Sequence, residues 1–502
     1  CKRAETATVA SDFEDISGLV LINSSGDLVN TGYPERLAKS EIFDVDWQLL
    51  ADTSDMRIFF PRLDENVEIG MKFAHDPRSL QSHRQGKTFV LIPASKGCVA
   101  RCTFCHRWDK GIRYVPPDLF IDRIRELIDT YDVGFVSVAD ENFGTDRRWL
   151  TSFCASMKEL DLMWWVSGMR VNCISPDQIA MMKEAGCVGI LYGMETGSPR
   201  MLEIMEKKTK QTDNENAVRW TVEAGLSTVV QLVLGMPGET PETVDETIQF
   251  TQMALTLSPD QNPNDLSINY SQALPGTPLY EYGRHKGLIG IDMDAEEAYL
   301  LSISDKDAHD EFTTINFTEF PTLEHQSWRP RITIETNYAF VLKYGLATYH
   351  RNLLSDQKYF RQKRKDTGYF ANPKRLVDTS LTTDSIHEER LTFDIEEGTE
   401  AVPGLWELIR TRHLGLAMIC YPVLFYRLRR FLPLMVFAKN LSRAPLRYNL
   451  RSLSEYIVYK IRRIIYAKPA THEYKSLRKI VDDDLAPLPM DLSAMAPLRN
   501  GR

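Results

Sequence analysis

From about residue 89 to residue 273 the chain alternates short, near-continuous apolar runs with longer amphipathic stretches. The apolar runs, at 89–92, 134–139, 163–168, 188–193, 228–235 and 266–273, have the length and composition of strands. Between them, 117–130, 147–160, 176–185, 214–224 and 241–257 space their apolar residues at helical intervals. Strands that are apolar on both faces need cover on both faces, which a parallel sheet wrapped by helices supplies. The predicted helix starts carry their own signals. Ser175-Pro176 and Thr240-Pro241 each place a cap residue before a proline at the first helical position. Gly186 and Gly225 follow two of the helices, where a left-handed residue closes the last turn. The pattern predicts an α/β fold built from β-then-α units.

The first strand leads into Gly97-Cys98-Val99-Ala100-Arg101-Cys102-Thr103-Phe104-Cys105-His106, a C-x3-C-x2-C triplet. Three thiolates this close can hold three irons of a [4Fe-4S] cluster and leave the fourth open to substrate. A structural zinc site closes its tetrahedron with four protein ligands. His106 is the extra donor nearby, and it is poorly placed because it adjoins Cys105. A zinc knuckle and plain buried thiols are the remaining readings.

The spacing, with aromatic Phe104 before the last cysteine, resembles the radical S-adenosylmethionine (radical SAM) enzymes. That resemblance implies an open six-stranded (β/α)6 partial TIM barrel, with chemistry at the carboxyl ends of the strands. It implies a [4Fe-4S] cluster on Cys98, Cys102 and Cys105, with S-adenosylmethionine (SAM) on the open iron and Phe104 among the cofactor-contacting positions. Asp140 and Glu141, in Ala139-Asp140-Glu141-Asn142-Phe143, fall where the family holds the amino group of SAM. A carboxylate suits an ammonium partly removed from water; a helix-capping loop around Thr145 or Asp146 is the plainer alternative. Arg170 ends the third strand, where its fork fits a methionyl carboxylate or a surface ion pair. Gly193 and Glu195 resemble the glycine–glutamate strand end of the branch that includes methylthiotransferases and cobalamin-binding radical SAM proteins, with Glu195 on the ribose hydroxyls. Val233 and Gly235 take the place of the adenine sandwich. The resemblance covers about residues 43–280.

Composition adds detail at the two ends. The chain has 502 residues, 43% hydrophobic and 26% charged, as an ordinary soluble globular protein does. Of its eight cysteines three are clustered and the rest scattered, which argues for a reducing compartment over a disulfide framework. Cys154, Cys173 and Cys187 read as small core residues. A second cysteine cluster is missing, which disfavours a methylthiotransferase. Residues 1–87 read as a small N-terminal region and connector: a hairpin over 18–29, then an apolar stretch at 42–50 resembling the link between a cobalamin-binding domain and the barrel. No Asp-x-His-x-x-Gly run precedes it and the chain starts at Cys1. The expectation is an N-terminally truncated chain, with cobalamin bound only by the full-length protein. The core barrel then spans 88–285, a C-terminal extension 286–400 and a basic amphipathic helical tail 401–502, the C-terminal region being mostly α-helical.

Residues 401–470 hold 13 Lys plus Arg against Glu407 and Glu455, a surplus of 11 in a chain of net charge −9. Its apolar runs fall short of the roughly 18–20 residues that span a bilayer. Basic residues interleaved with Leu, Phe and Tyr suit an interfacial helix on anionic lipid. A helical cap, its arginines paired with the acidic remainder, is the alternative. Nucleic acid is disfavoured by the overall acidity. The functional expectation is reductive cleavage of SAM followed by methyl transfer to an unactivated carbon. Radical cyclisation or rearrangement is the second reading, and a non-catalytic iron–sulfur accessory role the third. Expected partners are a flavodoxin- or ferredoxin-type electron donor and a small-molecule or lipid-like substrate. The expected location is cytoplasmic, with peripheral contact on the inner face of a membrane.

Overall fold

The apolar runs become strands that pair in parallel throughout. The computed structural model describes residues 10–23, 25–32, 36–63, 73, 75–106, 111–290, 292–304, 315–354, 402–410, 412–465 and 477. An antiparallel hairpin, β1 (Val20–Ile22) with β2 (Leu28–Asn30), comes first, as its turn-flanked sequence predicts. Helix α1 (Trp47–Thr53) follows. The connector around α1 is fastened to the barrel. Arg123 donates to the carbonyls of Ser40 and Ile42, and Phe60 stacks on Tyr131 at 4.1 Å.

The repeat then runs β3 (Thr88–Leu91), the short antiparallel pair β4 (Ser95–Lys96) and β5 (Arg113–Tyr114), α2 (Pro117–Tyr131), β6 (Val133–Phe143), α3 (Arg147–Glu159) and β7 (Met163–Met169). It continues through α4 (Pro176–Glu184), β8 (Cys187–Glu195), α5 (Pro199–Ile204), α6 (Gln211–Glu223), β9 (Val230–Leu234), α7 (Pro241–Ala254) and β10 (Leu266–Tyr270). The sheet order is β10-β9-β8-β7-β6-β3, with β3 and β10 at its two open edges. This is the expected six-stranded half-barrel. Thr240 caps as expected, accepting from Thr243 N–H, as does Asp146 from Arg148 and Trp149 N–H, and Gly186 and Gly225 have φ of +94° and +72°. Ser175 stands at its helix start but turns its hydroxyl to Gln178 Oε1 and makes no capping bond. Two elements go beyond expectation. β6 runs on through the acidic motif, because Phe143 pairs with Met169 after a bulge, and the short α5 forms behind Ser198-Pro199.

Alternation along each strand feeds two cores. Outward, Val90, Val136, Trp164, Ile190, Leu232 and Ile268 join the helices. Inward, Phe89, Phe135, Met163, Trp165 and Leu191 pack with Phe73, whose ring lies 5.1 Å from that of Phe135. Burying each such side chain contributes roughly 1.5–3 kcal/mol. The inward set fills the amino-terminal end of the barrel, which leaves the carboxyl end for a site.

After β10 the chain is helical: α8 (Pro278–His285), α9 (Met293–Ser304), α10 (Thr322–Tyr344), α11 (Leu405–Arg410), α12 (Leu414–Cys420), α13 (Pro422–Leu428), α14 (Leu432–Asn440) and α15 (Leu446–Ile465). Helix α10 is the joint. On one side Thr336 and Arg331 bond Thr251 (2.6 Å) and Asp245 (2.5 Å) of α7. On the other, Ile334 and Phe340 share a core with Met418 and Phe425 of α12 and α13. Parts of the expected 286–400 extension and of the tail beyond 465 lie outside the described residues. Among the described residues no helix is long and apolar enough to cross a membrane, and the cysteines are free thiols.

Candidate functional site

The cysteine loop leaves β3 at its carboxyl end, and one buried residue pins it. Thr103 donates its N–H to Met205 O and its Oγ to Ile204 O, both at 3.0 Å, and its carbonyl accepts from Leu279 N–H at 3.0 Å. Its neighbours Cys102 and Phe104 are thereby tied to α5 and α8. Cys102 is buried, Cys98 half-buried and Cys105 exposed. Burial pushes the Cys102 thiol up, with Lys207 pulling against it. Although Cys105 is exposed as a residue, the protein crowded around its sulfur, then the nearby Cys102, pushes the thiol up to about 11. Among the described residues, no three Cys, His, Asp or Glu side chains are already drawn together as a metal site. Cys173, expected in the core, is half-buried and close enough to Cys98 for their charges to interact. The donor set of one loop with three thiols, under the influence of Lys207 and Arg170, fits an anionic iron–sulfur cluster.

At the end of β6, strand alternation separates the acidic motif. Asp140 and Asn142 are buried on one face, and Glu141 is exposed on the other. The Asp140 carboxylate is a latch on the chain entering the cysteine loop. Oδ1 accepts from Ala94 and Ser95 N–H at 2.7 and 3.0 Å, and Oδ2 from Ser95 Oγ at 2.6 Å. Burial raises its pKa to about 6 against the pull of these donors. Asn142, which the sequence reading passed over, directs Nδ2 at Cys98 Sγ, 3.6 Å away, while its buried Oδ1 has no partner among the described residues. The period-2 rule applied from Asp140 would have found it. Asp140→Ala orphans two buried N–H groups at roughly 1–3 kcal/mol each, so the melting temperature should fall by about 5 °C or more. Calorimetry giving an unchanged midpoint would dismiss the latch.

The end of β8 carries the second half of the site. Glu195 has a left-handed backbone, φ +66°, held because Asn214 Nδ2 spans the carbonyls of Met194 and Thr196 at 3.2 and 3.0 Å. Its Oε1 pairs with Lys207 Nζ at 2.5 Å, with side-chain exposures of 12% and 9%. Burial pulls the Lys207 pKa down, but Glu195 and Cys102 outweigh it, and the net direction is up. Arg170, at the end of β7, donates to the Lys207 carbonyl and forms no surface ion pair among the described residues. Gly193 keeps the space between them clear: a Cβ there would lie 2.7 Å from Glu195 Oε1 and 2.8 Å from Lys207 Nζ. Lys207 gave no signal in the sequence beyond being one of two adjacent lysines.

The last two strands add an apolar platform and a polar wall. Val233 and Phe104 pack against one cluster that includes Met205, Met236, Ala273 and Leu279. Gly235, φ +83°, meets His325 of α10, whose Nε2 would lie 2.7 Å from a Cβ at that position. In register, Gln231 stands beside Ser267 and Val233 beside Asn269. These polar side chains share the inner face, since Leu232, Ile268 and Tyr270 join the helix-side core. The buried Ser271 Oγ just beyond them has no partner among the described residues.

Glu239 is fully buried; its Oε2 accepts from Gly235 N–H at 2.5 Å, and burial raises its pKa from 4.5 to about 8. Between those values the folded chain holds a proton that the unfolded chain has released, so stability falls as pH rises through that window. Glu239→Gln should therefore match the parent at about pH 5 and melt a few degrees higher at about pH 8.5. Parallel melting curves at both pH values would refute this.

Residues 92–251 match the radical SAM superfamily. Over 200 residues, 38% of this chain and 32% of the relative, the chain is 31% identical to the anaerobic magnesium-protoporphyrin IX monomethyl ester cyclase of Cereibacter sphaeroides. Over 216 residues, 41% of this chain and 40% of the relative, it is 27% identical to the hopanoid C-2 methylase of Rhodopseudomonas palustris. The chain thus spans well under half the length of these curated relatives. Among solved structures, the cobalamin-dependent SAM radical enzyme OxsB is similar at 13% identity and a TM-score of 0.45, covering 89% of this chain and 64% of that one. With its cysteine loop at the carboxyl end of the first strand of a six-stranded parallel half-barrel, the chain carries a radical SAM domain over residues 92–251.

Proposed function

We propose that this chain is the radical SAM portion of an enzyme that transfers a methyl group to an unactivated carbon, with cobalamin bound by the full-length protein. One observation carries the reading. The cysteine loop, the orphaned Oδ1 of Asn142 and the Glu195–Lys207 pair meet at the carboxyl end of the sheet, where Gly193 leaves room for that pair. Cys98, Cys102 and Cys105 hold a [4Fe-4S] cluster. Asn142 accepts from the SAM ammonium beside the latched Asp140 and the exposed Glu141, and Arg170 and Lys207 offset negative charge. Glu195 takes the ribose hydroxyls, while Phe104, Val233 and Gly235 border the adenine. When bound, these cofactors would supply a carbon-centred radical for hydrogen abstraction and a methyl group for transfer. The chain itself orients the reactants and excludes water: the aromatic floor around Phe73 closes one end, and Gln231, Ser267 and Asn269 offer hydrogen bonds to a small-molecule or lipid-like substrate. A flavodoxin- or ferredoxin-type donor supplies the electron.

Radical cyclisation is the second reading, favoured by the 31% identity to a cyclase. Anaerobically reconstituted chain, reduced with dithionite and given SAM, should release 5′-deoxyadenosine measurable by mass spectrometry. None released from cluster-loaded protein would overturn the assignment. With methyl-labelled SAM and the full-length protein, label in the product supports methyl transfer, and a converted but unlabelled substrate supports cyclisation.

A further inference from the structure

Helix α15 is turned the opposite way from a helix that merely caps a barrel. Its buried residues are Asn449, Ser452 and Tyr456, while Leu446, Leu450, Ile457, Ile461 and Ile464 are between 48% and 84% exposed. With half-buried Leu453 they recur at i, i+4, i+7, i+11, i+15 and i+18, five turns of an ideal helix and therefore one straight stripe. The polar face is held in place from below. Asn449 Nδ2 donates to the carbonyls of Asn440 and Ala444 at 3.2 and 3.0 Å, and Tyr456 packs with Leu323 and Val436. A continuous exposed aliphatic stripe marks a surface that something covers.

The flanking charges say what covers it. By helical spacing Arg447 and Arg451 border one side of the stripe and Lys460 the other. Pairing with acidic residues engages part of the tail: Arg429 and Lys460 reach Glu335 and Glu324 of α10, and Arg451 reaches Glu455 one turn along α15. Arg427, Arg430, Arg447 and Arg462 are exposed and have no ion pair among the described residues. A second copy would bring a like surplus of 11 positive charges against this one. The stripe also keeps the 3.6-residue period of a straight helix, not the 3.5 that winds two helices together. A flat, negatively charged, apolar-cored surface fits both features.

We infer that α15 lies in the interfacial plane of an anionic lipid bilayer, its leucines and isoleucines at the acyl boundary and Arg447 and Arg462 reaching lipid phosphates. This rests on the tail alone and stands apart from the radical SAM reading. The full chain should co-sediment with phosphatidylcholine vesicles containing about 30% phosphatidylglycerol, and at least about tenfold less with phosphatidylcholine alone. Arg447→Gln with Arg462→Gln should weaken that binding about 25-fold, at about fivefold per cation. Ile457→Asp with Ile461→Asp, both at exposed positions, should lose it by more than about tenfold while circular dichroism stays unchanged. Equal binding to both vesicle types, undiminished binding by the aspartate variant, or no sedimentation of the parent would overturn the inference. So would a parent dimer in light scattering that the aspartate variant dissolves, which would assign the stripe to a second copy.

Discussion

Replacing any one of Cys98, Cys102 or Cys105 with Ala should abolish both the visible absorbance of the reconstituted protein and its reductive cleavage of SAM. A cluster held by two thiolates exposes two irons and is lost, so 5′-deoxyadenosine should fall by at least about 100-fold, some 2.7 kcal/mol or more on the barrier. The fold should survive, since Cys105 is exposed and the loop is pinned by Thr103 rather than by the thiols. Cys154→Ala is the control. That thiol is buried in the helix-side core and pushed up to about 12 by burial alone, the mark of an inert structural cysteine, and its loss should leave iron content unchanged. Stoichiometric zinc without iron in the parent, or full cleavage by the triple Ala variant, would end the cluster assignment.

Lys207→Met should weaken SAM binding about 10- to 150-fold, the worth of one charge-assisted contact, and destabilise the chain by about 3–5 kcal/mol. The stability loss comes from Glu195, left buried without its partner. Adding Glu195→Gln removes that orphaned charge, so the double variant should recover most of the stability and none of the affinity. Titration calorimetry and thermal melts on the two variants separate the effects. If the double variant binds SAM as the parent does, the pair is scaffold only and the ribose contact lies elsewhere.

The barrel was legible because its signals are local. Near-continuous apolar strands, Pro at first helical positions and Gly at two helix ends each report on a few adjacent residues, and all three stand where expected. The boundaries that shifted did so for tertiary reasons: β6 lengthens because Met169 offers Phe143 a partner across the sheet. The site was legible at its cysteines and at Glu195, and illegible where chemistry depends on residues far apart in the chain. Nothing near Asp140 announces that Ala94 and Ser95 will occupy its carboxylate, and nothing near Glu195 points to Lys207. The tail shows the limit most plainly. Sequence leaves an interfacial helix and a helical cap both open there, and what turns the stripe of α15 outward is the set of partners that Asn449 and Tyr456 find beneath the helix.

The contact between Gly235 and His325 bears on how such a chain can be inherited. A methyl group at position 235 would sit 2.7 Å from the imidazole, so a lineage that changes this glycine must shift the His325 ring, or α10 with it, in the same step. Arg331 on Asp245 and Thr336 on Thr251 add two more fittings between the same partners. Barrel and helical region are thus not beads that recombination can restring at will. A crossover anywhere between residues 286 and 321 delivers half of a lock without its key, and the chimeras that survive should be those whose donors share the glycine, the histidine and both polar pairs.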